Sequence, residues 1–172
     1  MDEALDVELR ALRAFETQGY PRFVTACRVY LSEILRVAGR LVEAQDAAAL
    51  ATDEAEAGSD VSMLALAQFA QTQVDLGRVD VAQATERKLQ QAPSRPIQEE
   101  GEQIRVVRVE VLLASGAHAE ARRLLIEACE RVLAKASRIQ DPEVRKRFTR
   151  RVPANARALR LGGVARHRGA TN

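Results

Sequence analysis

The residue types able to do chemistry are few in this chain, and they are scattered. The only histidines are His118, just after a glycine turn, and His167, near the C-terminus; a proton shuttle or metal site needs such groups to converge, and these two stand far apart. Asp53, Glu54 and Glu56 cluster at the end of one helical segment, the pattern of a solvated face. Cys27 and Cys129 are about a hundred residues apart with no CxxC spacing, so neither a disulfide framework nor a zinc site is expected, and both read as buried, reduced thiols. Gly162-Gly163 lacks the Lys-Ser/Thr of a phosphate loop, and no GxSxG, HExxH or Rossmann fingerprint occurs. No catalytic residue, metal ligand or cofactor is expected from these patterns.

One chemical signal remains, and it is electrostatic. From Arg138 to Asn172 nine arginines and one lysine face Asp141 and Glu143, a net charge of +8, which leaves −6 for the preceding residues of a chain whose net charge is +2. The run Arg145, Lys146, Arg147, Arg150 and Arg151 could contact phosphates with steep salt dependence. It could equally meet an acidic protein. Stacking aromatics are nearly absent from it, which argues against a single-strand reader and makes nucleic acid the secondary expectation.

The elements that carry these residues are helical. At 172 residues and 47% apolar the chain can bury one core, and with 3% aromatics and no Trp that core must come from close helix contacts. An internal repeat sets them out. Gly39, Gly77 and Gly116 lie 38 and 39 residues apart, and each is followed five residues later by a small residue, Ala44, Ala82 and Ala121. Seven residues further stand Ala51, Leu89 and Ala128, on the same helical face. Helix-length apolar periodicity precedes each glycine, over Phe23 to Ala38, Val61 to Leu76 and Gln98 to Ser115. The unit is helix, glycine turn, helix, with alanine where the two helices touch.

These residues resemble the tetratricopeptide repeat, a helical hairpin of about 34 residues. The match runs through Leu31, Ser32, Gly39, Ala44 and Ala51, then Phe69, Ala70, Gly77 and Ala82 with Pro93, then Leu112, Gly116, Ala121 and Ala128. Arg28, Leu66 and Arg105 stand where the family carries an aromatic, and Val109 where a small residue is usual. The resemblance implies an all-α fold, an α-solenoid of helical hairpins with a C-terminal helical cap, read as a single domain. The expected divisions are 1–20, helix B of an incomplete repeat; 21–58, 59–96 and 97–140, three repeats; 141–162, capping helices opened by Asp141-Pro142 and interrupted at Pro153; and 163–172, a disordered tail.

The family's concave surface is lined by the first helix of each hairpin. The corresponding exposed positions here would be Val29, Glu33 and Arg36, then Ala67, Gln71 and Asp75, then Val106, Glu110 and Leu113. They offer neither Lys nor Asn, so a carboxylate clamp is not expected, and the groove reads as mixed, mildly acidic and apolar. The ending Asp141, Pro142, Arg145, Phe148, Val152, Pro153, Asn155, Arg157 and Leu159, together with Phe15–Gly19, resembles the repeat regions at the ends of large bacterial serine/threonine kinases and ATPase-type transcriptional regulators. That implies a regulatory or scaffolding module without kinase residues, binding a protein or peptide.

Carried back 40 residues, the marker lands on Ala4 and Ala11, a second helix without its first. The expectation is a C-terminal part of a longer protein, with an upstream domain or a homodimer through this N-terminal end as partner. The acidic N-terminus has no apolar targeting region and no run reaches membrane-spanning length, so a cytoplasmic protein away from membranes is expected.

Overall fold

The computed structural model describes the backbone of residues 2–91 and 101–169 and the side chains of residues 3–91 and 101–163. Every regular element among them is an α-helix: α1 (Asp2–Gln18), α2 (Pro21–Val37), α3 (Leu41–Glu54), α4 (Asp60–Asp75), α5 (Val79–Gln91), α6 (Gly101–Ala114), α7 (His118–Ser137), α8 (Pro142–Arg151) and α9 (Pro153–Gly169). Within each compact unit sequential helices pack as neighbours, the arrangement of an all-α helical-repeat fold. None of the described helices is long and apolar enough to cross a membrane.

The repeated glycines end the first helix of each hairpin in the same way. Gly39, Gly77 and Gly116 have φ of 77, 72 and 80°, a left-handed backbone that a side chain would strain. The next residue then donates its N–H back five positions: Arg40 to the Leu35 carbonyl at 2.9 Å, Arg78 to Gln73 at 2.8 Å, Ala117 to Leu112 at 2.9 Å. This closes the first helix and aims the chain into the second. Ala44, Ala82 and Ala121 are fully buried at the resulting contact, and so are Ala51 and Ala128 two turns on. In the first hairpin Ser32 Oγ donates to the Ala44 carbonyl at 2.8 Å, an approach that only small side chains permit.

The chain forms two compact units, residues 1–97 and 98–172, where a single domain was expected. The reason is that each closes its own core. In the first, α1 packs on α2, the hairpins α2–α3 and α4–α5 follow, and α4 packs on both α2 and α3. Arg28, which stands in place of an aromatic, ties three helices together through ion pairs with Glu16 (3.1 Å) at the end of α1 and with Glu54 at the end of α3.

In the second unit α6 and α7 form the third hairpin, and α9 packs against both. Val109, Leu112, Ala121, Leu124, Leu125 and Cys129 make its core, against which Leu159 and Leu161 of α9 rest. The expected cap starts as predicted, with the Asp141 carboxylate accepting from Glu143 and Val144 N–H and Pro142 at the first helical position. Its end does not follow the expectation. Residues 163–169 continue α9 instead of forming a disordered tail, and residues 170–172 lie outside those described. Gly162 is a packing residue: a Cβ there would lie 2.6 Å from Cys129 Sγ, so only glycine lets α9 approach α7 this closely. The preceding turns of α9 are thereby held, and the helix propagates beyond them.

Candidate interaction groove

The positions expected to line a groove divide between the two units. In the first, four of the six form one polar network across α2 and α4. Glu33 accepts from Arg36 Nε at 3.1 Å and Nη2 at 2.9 Å, and from Gln68 Nε2 at 2.6 Å. Arg36 Nη1 reaches Asp75 Oδ2 at 3.0 Å, and Gln71 Nε2 donates to Asp75 Oδ1 at 3.2 Å. Each bond has a local cause. Glu33 and Arg36 are one helical turn apart on α2, Gln71 and Asp75 one turn apart on α4, and the similar turns at Gly39 and Gly77 bring the two helices into register.

The electrostatics follow from burial. Desolvation works against the Arg36 charge, but hydrogen bonds and attraction from Glu33 and Asp75 outweigh it, so its pKa lies above the ordinary arginine value. The network contains two carboxylates and one guanidinium. The side-chain oxygens of Gln68 and Gln71 are buried without a hydrogen-bond partner, so acceptors exceed donors along this face.

Three expected groove positions in this unit are not exposed: Val29, Ala67 and Gln71 are buried. Neighbouring first helices pack directly on each other, α2 on α4, and these residues fall in the packing and not on the open face. In the second unit Val106 is likewise buried, clustered with Ala128 and Ala158, because α9 lies over α6. Glu110 accepts from Arg157 Nε of α9 at 2.5 Å, and Leu113 remains exposed. Sequence reasoning misses Gln68 and Arg157. Gln68 could have been found as the neighbour of Gln71 one turn earlier; Arg157 had no signal, since its use depends on where α9 docks.

The basic residues of α8 have separate uses. Arg145 Nε and Nη2 donate to the Ile139 carbonyl at 2.9 and 2.7 Å, tying α8 to the segment just after α7. Lys146 lies 3.7 Å from Glu143. Arg147, Arg150 and Arg151 are exposed and make no ion pair with described residues, and α8 buries none of its side chains. A further polar cluster surrounds buried Glu102, approached by Arg131 at 3.2 Å, Lys135 at 3.4 Å and Arg105 at 3.5 Å. Between α7 and α9 lies an apolar cavity of about 340 Å³, lined by residues including Leu125, Ile126, Leu133 and Gly162.

Cys27 and Cys129 are both buried, and Cys129 Sγ donates to the Ala158 carbonyl at 3.4 Å. Burial first, then the hydrogen bond and charge of Glu8, push the Cys27 thiol up to about 12, which keeps it protonated and unreactive. Among the described residues no three His, Cys, Asp or Glu side chains come together as a metal site. No family model, no curated protein and no solved structure matches this chain.

Proposed function

We propose that the chain is a non-catalytic protein–protein interaction module of the tetratricopeptide type, serving as a cytoplasmic regulatory or scaffolding part of a bacterial signalling protein such as a serine/threonine kinase. The observation that carries this reading is the network of Glu33, Arg36, Gln68, Gln71 and Asp75 across two successive first helices. Its negative balance, carried by the partly exposed carboxylates of Glu33 and Asp75, favours a peptide bearing Lys or Arg. The partner range also includes a second copy of the chain through its N-terminal repeat end.

The test is selection of a random phage-displayed peptide library on the immobilised chain. Enrichment of basic peptides that bind the wild type and lose about tenfold or more in affinity on Asp75→Arg, with an unchanged circular dichroism spectrum, supports the reading. Enrichment of peptides indifferent to Asp75→Arg removes it.

A second reading rests on Arg147, Arg150 and Arg151 of α8, which are exposed and without ion pairs among the described residues. It makes the protein a nucleic-acid-associated regulator. A duplex gel shift that persists at physiological salt, and weakens on substitution of these three arginines, would favour it.

A further inference from the structure

The second unit leaves large apolar side chains uncovered on one line of α7. Ile126 and Leu133 are 50% and 47% exposed, while Leu124, Leu125, Ala128 and Val132 of the same helix are buried in the core. Ala119, Ile126 and Leu133 recur at seven-residue spacing, so they share one helix face. The apolar cavity of about 340 Å³ opens on this face, lined by α7 and, on its other side, by the bare backbone of Gly162 of α9. Its α7 residues have the form of two successive holes for a facing helix. Arg122, Leu125, Ile126 and Cys129 make the first, and the set shifted by one turn, ending at Leu133, makes the second.

The charges along the line indicate which helix fits. Arg123 and Glu127, one turn apart, pair with each other at 3.8 Å. Arg122 and Glu130 both line the cavity and are exposed, yet they stand two turns apart and make no ion pair among the described residues. The order Ala119, Arg122, Ile126, Glu130, Leu133 is its own complement. Turned end for end about Ile126, it sets each Arg122 against a Glu130 and each Leu133 against an Ala119.

We propose that this face of α7 is a homodimer contact, in which α7 of a second copy lies antiparallel on it about a two-fold axis at Ile126. The mate's Ile126 enters the cavity, an Arg122–Glu130 ion pair flanks it on either side, and each Leu133 packs over the other copy's Ala119, large against small. The interface is isologous and closes as a dimer. A helix of other sequence would need the same five residue types in reversed order; a second copy supplies them.

The contact uses no residue of the Glu33 to Asp75 network, so the experiment separates it from the groove reading. Sedimentation velocity of the full chain at about 300 µM, above a Kd of roughly tens of micromolar, is expected to show a dimer. Ile126→Asp should weaken it about a hundredfold or more. Arg122→Glu alone and Glu130→Arg alone each bring like charges together twice, and each should weaken it about tenfold or more. The double variant restores both pairs with the signs exchanged and should recover most of that loss. All three positions are exposed, so the circular dichroism spectrum should stay unchanged throughout. Asp75→Arg, which removes peptide binding in the groove reading, should leave the dimer intact. A monomer at that concentration, a dimer indifferent to Ile126→Asp, loss of the dimer on Asp75→Arg, or a double variant no better than either single one overturns the proposal.

Discussion

The two units use the same glycine-turned hairpin but close it against a third helix in opposite ways. In the first, α2 meets α4 through charges and amides: Glu33, Arg36, Gln68, Gln71 and Asp75. In the second, α9 meets α6 and α7 through Val106, Ala128, Ala158 and the bare backbone of Gly162, with one ion pair, Arg157 to Glu110, beside them. A polar seam fixes which residue faces which, since a shifted register leaves buried groups unpaired, but its desolvation cost offsets much of its attraction. An apolar seam of small residues stabilises by close approach and tolerates no added volume. The polar seam remains a surface that a partner can read; the apolar one is sealed.

The largest expected effect breaks the second seam. Gly162→Val should destabilise unit 2 by about 3 kcal/mol through overpacking, seen as a lower midpoint in urea. Pairing Gly162→Ala with Cys129→Ala should recover most of the loss caused by Gly162→Ala alone, because the Cβ clashes with that sulfur. A cycle with no coupling would contradict the packing role of the glycine.

Breaking the first seam should cost less. Arg36→Met leaves Glu33 and Asp75 facing each other without their cation, but both carboxylates remain partly solvated, so about 2 kcal/mol is expected. Smaller still, and opposite in sign, is Gln73→Leu. The side-chain oxygen of Gln73 is buried without a partner, so removing it should stabilise unit 1 by about 1 kcal/mol. A destabilised variant would show that the amide is satisfied in solution.

The smallest effect concerns a surface pair. The Arg40 hydrogen bond lowers the pKa of exposed Glu43, so the pair's contribution is present above the usual carboxylate range and is lost as pH falls through the depressed value. An NMR titration should place Glu43 below the ordinary glutamate value, and Arg40→Ala should raise it.

The hairpins were legible in the sequence because their causes are local. A left-handed glycine and an alanine five residues later leave their mark in any one copy, and three copies at similar spacing remove the coincidence. The Asp141-Pro142 helix start was legible for the same reason. The lining of the groove was read only in part. Glu33, Arg36 and Asp75 were named through the resemblance to the tetratricopeptide repeat, but whether Val29, Ala67 or Val106 faces out depends on how closely the neighbouring helix packs, a distance no residue in that helix records. The packing role of Gly162 was not legible, because it depends on the Cys129 sulfur opposite it, which comes from another helix.

The link from Glu110 to Arg157 spans 47 residues, and α9 is the last helix described in the chain. During synthesis, unit 1 can complete its core while unit 2 is still being made, since its contacts lie earlier in the chain. The α6–α7 hairpin has no such option. Its apolar face must wait for α9, the last made of the three helices that close this core. The nascent chain is therefore most vulnerable to aggregation and proteolysis between the synthesis of α7 and that of α9, and a stop codon ahead of Arg157 should yield a folded first unit joined to a second that is degraded.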